Sequence, residues 1–71
     1  MKINNTTDAE NFIAGLRDKS QKAQIIQLTK AIESLELDQM YYEQKGSERG
    51  QLRTESCLVI LNAHYSALQK N

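Results

Sequence analysis

Proline is absent from all 71 residues, and glycine occurs only at Gly15, Gly46 and Gly50. A chain so short of helix breakers, and rich in Gln, Lys, Glu, Leu and Ala, has few places where a helix is forced to stop. The pattern predicts one all-α domain over residues 1–71: a short N-terminal helix followed by a long antiparallel helical hairpin. Residues 1–6 are expected to be a flexible N-terminus, and 45–50, which hold two of the three glycines, the hairpin turn.

Thr7-Asp8-Ala9-Glu10 reads as a reciprocal capping box and predicts a helix start near Asp8. Ala9, Phe12, Ile13 and Leu16 follow at i, i+3, i+4 and i+7, the apolar stripe of a short amphipathic helix. Asp18-Lys19-Ser20 suits either a kink in one long helix or a break capped by Ser20. We read a break. Beyond it Ile25, Leu28, Ile32, Leu35, Gln39 and Tyr42 alternate spacings of three and four, a heptad seam on a helix from Ser20 to Gln44. Gly46 then supplies a left-handed helix end, Ser47 a cap, and a third helix runs from Glu48 to Gln69.

The third helix carries more apolar surface than a two-helix seam needs. Leu58, Leu61, Tyr65 and Leu68 form one stripe, and Cys57, Ile60, His64 and Ala67 form another beside it, together covering about half the circumference. On the second helix Ile26, Leu37, Met40 and Tyr41 fall off the Ile25 to Tyr42 seam. The four apolar residues of the first helix are too few to cover this surplus along the whole hairpin, and contiguous exposed apolar surface marks an interface. The expected partner-binding residues are Leu58, Leu61, Tyr65, Leu68, Ile60, His64, Leu37 and Tyr41. Leu61→Asp is accordingly expected to abolish binding and spare helicity.

Catalysis finds little support. A lone Cys57 in an apolar stripe reads as a small buried hydrophobe, and His64, two turns away, is too distant to serve it as a base. The duller reading of His64 itself is a partly buried ring with one hydrogen bond. One Cys and one His make neither an internal disulfide nor a zinc cluster. No catalytic residue, cofactor or metal is assigned, and an enzyme is not expected. Nine basic and nine acidic residues are interspersed, which leaves no basic footprint for nucleic acid. Lys45, Arg49 and Arg53 near the turn are mixed with Glu43, Glu48 and Glu55 and read as a solvated helix end. The longest apolar run, Cys57 to Leu61, is far short of a membrane span, and the first dozen residues lack a secretory apolar core. The chain reads as soluble and cytoplasmic, with no membrane insertion.

The stretches "QLTKAIESLELDQM" before the turn and "LRTESCLVILNAHYSAL" after it resemble the small co-chaperones of type III secretion needle subunits, the YscE and EscE type. The resemblance runs from about Gln24 to Leu68. It implies a cytoplasmic co-chaperone, associated with virulence, that binds a larger tetratricopeptide-like chaperone and helps to hold a needle subunit before export. It also implies that the hydrophobic face of the hairpin is the contact, which here means chiefly Leu58, Leu61, Tyr65 and Leu68.

Two alternatives need no such chaperone. The heptad seam and the third-helix stripe suit a homodimer of the chain alone, packed across a two-fold axis as a four-helix bundle. A small phage or mobile-element inhibitor of a host protein would need only the same apolar face. At 71 residues a core supplies no more than about 3 to 5 kcal/mol of net stability, so association is the expected source of more.

Overall fold

The computed structural model describes residues 3–70. Three helices make up all the regular structure among them, and no strand is present: α1 (Thr6–Leu16), α2 (Gln21–Lys45) and α3 (Glu48–Gln69). α3 packs on α2 along much of its length, and α1 packs chiefly on α3. The result is 38 Å long and 19 by 17 Å across, the long dimension being about that of a 25-residue helix.

Each helix end has an identifiable cause. At α1 the cap is Asn5, two residues before the Thr7 expected from the sequence. Its Oδ1 accepts from the Asp8 N–H at 2.8 Å, while Asp8 Oδ2 accepts from the Asn4 N–H at 3.0 Å. The capping logic is the one expected, carried by Asn5 and Asp8 instead of Thr7 and Glu10, and Asn is the stronger cap. The earlier start also lets Ile3 join the core, where it is buried. Within the stretch 1–6 expected to be a flexible N-terminus, Ile3 is buried, Asn5 caps α1 and Thr6 begins it; Met1 and Lys2 lie outside the described residues.

The break near Ser20 is present. α1 ends at Leu16, and the extended Ser20 caps α2, its Oγ accepting from the Ala23 N–H at 3.2 Å. At the far end of α2, Gly46 adopts the left-handed conformation (φ 73°, ψ 24°). Its N–H donates to the Glu43 carbonyl at 3.2 Å and that of Ser47 to the Tyr42 carbonyl at 2.9 Å, a Schellman-type ending that satisfies carbonyls otherwise left open. Ser47 Oγ then accepts from the Gly50 N–H at 3.2 Å and starts α3. The connection is thus only Gly46 and Ser47, shorter than the predicted 45–50.

The core is one cluster. Ala9, Ile13 and Leu16 from α1, Leu28 and Leu35 from α2, and Cys57 and Leu61 from α3 are buried, with Phe12, Ile32, Leu58, Ile60 and Tyr65 among those packed partly against them. The heptad seam of the sequence is thereby used inside the molecule. Contacts between α2 and α3 pair residues from opposite ends of the two helices. Tyr42 lies against Gly50, Gln24 meets His64, and Gln21 Nε2 donates to the Leu68 carbonyl.

Candidate functional site

α3 presents two flanks to either side of its buried line of Cys57 and Leu61. One flank is turned towards α1, which packs on α3 and shares the core with Cys57 through Ala9, Ile13 and Leu16. Helical register puts Ile60 and His64 on that same side. His64 Nε2 lies 3.1 Å from Gln24 Oε1, and Gln24 Nε2 donates to the Lys19 carbonyl at 2.9 Å. Because the Gln24 amide nitrogen is occupied as a donor, its oxygen is the acceptor and His64 Nε2 carries the proton. The buried Gln24 therefore ties α3 to the α1–α2 link, and His64 is a half-buried ring with a structural hydrogen bond.

The other flank is uncovered. Thr29, Ile32, Glu33 and Glu36 of α2 and Asn62 and Tyr65 of α3 line a shallow cleft of about 280 Å³. Leu58, seven residues before Tyr65, continues the same side of α3 and is likewise half-buried. Ile32 and Tyr65 give this groove an apolar floor, which Leu58 extends by register along α3, with Glu33 and Glu36 an acidic rim on α2 and Asn62 a neutral rim on α3. Such a groove has the form that takes the apolar stripe of a helix, with the acidic rim favouring Lys or Arg beside that stripe.

The eight residues expected to form one binding face are distributed over four environments. Tyr65 borders the open groove, with Leu58 on the same side of α3, and half-buried Leu68 packs against the core near the start of α2. Ile60 and His64 are on the α1 flank. Leu37 and Tyr41 are 67% and 51% exposed on the side of α2 turned away from α3. Leu61 is fully buried, so it lies in the core and offers no surface of its own to a partner. The sequence pattern located the apolar surplus but not how α1 divides it. Ile32, already on the predicted seam, is the groove residue that was passed over, and Leu52 and Val59, seven apart and each about two-thirds exposed, form an outward line on α3 that also went unread.

Other chemistry is sparse among the described residues. Burial, and then the nearby Asp8 carboxylate, push the Cys57 thiol up, against a smaller opposing pull from Arg53, so the nucleophilic thiolate is disfavoured. No group of three or more His, Cys, Asp or Glu is placed to hold a metal. No helix is long and apolar enough to cross a membrane. Lys45 Nζ sits 5.1 Å from the centre of the Tyr41 ring, and a hydrogen bond to Tyr41 raises its pKa. No family model, curated protein or solved structure matches this chain.

Proposed function

We propose that the chain is a non-enzymatic helix-binding adaptor, in which α2 and α3 act as an antiparallel hairpin and α1 braces one side of it. The antiparallel arrangement is supported by the pairings Gln21 with Leu68, Gln24 with His64 and Tyr42 with Gly50, whose numbers rise on one helix as they fall on the other. The observation that carries the binding role is the open groove of Ile32 and Tyr65, both half-buried, on the flank of α3 away from Ile60 and His64. A partner helix laid there would bury apolar side chains on both molecules and set its basic residues against Glu33 and Glu36.

In the reading that the type III resemblance favours, the partner is a larger helical-repeat chaperone of the tetratricopeptide kind. The pair holds a needle subunit in the cytoplasm before export. A chain of 71 residues gains stability from such docking by mass action, since the partner binds only the folded form.

Gentle purification of the tagged chain from its host is expected to recover a larger helical-repeat protein, identified by mass. Tyr65→Glu should lose that partner, while Val59→Glu, on the outward side of α3, keeps it. Circular dichroism must remain helical for both. Recovery of the chain without a second protein, or equal capture by the two variants, rejects the groove as the contact.

A further inference from the structure

We infer that the outward face of α2 is a self-complementary seam that pairs two copies of this chain with their α2 helices antiparallel. Ile26, Lys30, Glu33 and Leu37 are all exposed, and their spacings of four, three and four place them in one stripe along the helix. At 3.6 residues per turn Ile26 and Leu37 lie within about 20° of each other and about 180° from the core-facing Leu28 and Leu35. This stripe is separate from the Ile25 to Tyr42 seam, whose Leu28 and Leu35 are buried in the core.

The order of residues in the stripe reads apolar, positive, negative, apolar, and its spacing is symmetric about a point between Ala31 and Ile32. A two-fold axis through that point sets Ile26 opposite Leu37 of the second copy and Lys30 opposite Glu33, each pair occurring twice. It also sets Ala23 opposite Met40, the next positions of the alternation, with Tyr41 beside the stripe; Met40 and Tyr41 are each more than half exposed. A parallel pairing would place Lys30 on Lys30 and Glu33 on Glu33, so the charges select the antiparallel orientation. The outward line on α3, Leu52 and Val59, has Ser56 and Ala63 between and after its apolar residues and carries no such code. Helices that meet through alternating spacings of three and four cross at about 20°; at the two edges of this face Lys30 lines a cleft with Phe12 of α1 and Glu33 one with Asn62 and Tyr65 of α3.

This inference does not rest on the adaptor reading. The seam and the groove share only Glu33, at their common edge.

The test is sedimentation equilibrium of the purified chain from about 10 µM to about 1 mM. The expected species has twice the 8.1 kDa chain mass. Lys30→Glu or Glu33→Lys alone, each putting like charges across the axis, should weaken the dimer by about tenfold or more. The double variant, with both charges exchanged, should restore it. Leu37→Asp should also dissociate it, and as an exposed position it should leave the helical signal intact. A monomer throughout the range overturns the inference, as does a dimer indifferent to the single reversals. Loss of the dimer in both single variants without recovery in the double variant overturns the antiparallel register.

Discussion

The Tyr42 ring occupies the space that a side chain on Gly50 would need. A Cβ built on Gly50 falls 2.5 Å from Tyr42 Cγ and 2.8 Å from Cε1, and Cγ, at the root of the ring, cannot swing clear without moving the whole side chain. Gly50 is buried within the first turn of α3, so it is a packing glycine, and its backbone conformation is ordinary helix. Gly50→Ala is expected to destabilise by about 1 to 3 kcal/mol through overpacking, outweighing the gain in helix propensity of about 1 kcal/mol. Gly15, with open space around its Cβ position, is the control: Gly15→Ala should stabilise by about 0.5 to 1 kcal/mol. Urea denaturation of both variants decides this, and a Gly50→Ala protein as stable as the parent would sink the packing account.

The start of α1 yields a second comparison. Asn5→Ala removes the acceptor for the Asp8 N–H and should cost about 1 kcal/mol. Thr7→Ala, inside the first turn and exposed, should change stability by less than about 0.5 kcal/mol. Thermal melts of the two variants rank the positions, and the reverse order would reinstate Thr7 as the cap.

That the sequence suggested Thr7 follows from its own ambiguity. Asn5-Thr6-Thr7-Asp8 and Thr7-Asp8-Ala9-Glu10 both set a capping side chain three residues before an acid. Asn is the stronger cap of the two, and the burial of Ile3, a tertiary fact, adds to the preference for the earlier one. Other local signals agree with the structure: the break at Ser20, for which a kink was the alternative, Gly46 ending α2, and Leu28 and Leu35 on the seam that faces the core. What local spacing leaves open is how the packing of the helices divides the apolar faces. Periodicity shows that Leu58, Leu61, His64 and Tyr65 share half a helix, but not that α1 takes the His64 flank, that Leu61 lies beneath the surface, or that Gln24 meets His64 across 40 residues. Those depend on the helix-on-helix arrangement, which local spacing does not encode.

The burial of Leu61 changes what a charge at that position does. Leu61→Asp places a carboxylate among fully buried apolar side chains, at a cost of several kcal/mol that rivals the whole stability of a domain this small. Circular dichroism should therefore show an unfolded or largely unfolded chain. Tyr65→Glu, at the half-buried groove edge, should remain helical. A folded Leu61→Asp protein would mean that α2 and α3 are packed less tightly than described.

Cys57 ties stability to alkaline pH. Its pKa in the folded chain is raised, first by burial and then by the Asp8 carboxylate, so the folded state keeps its thiol proton at a pH where the unfolded state has begun to lose it. The unfolded chain then binds fewer protons than the folded one, and the linkage relation makes stability fall as pH rises. The contribution is complete below the ordinary thiol value of 9.0 and declines above it. Cys57→Ala lacks this term, although it loses packing at every pH. The stability advantage of the parent over Cys57→Ala is accordingly expected to be constant up to about pH 8 and to narrow towards pH 10, with the background titration of Lys and Tyr cancelling in the comparison. Urea midpoints at three pH values measure it. A gap that stays constant or widens with pH would mean that the thiol is reached by solvent in the folded chain and is not buried against α1.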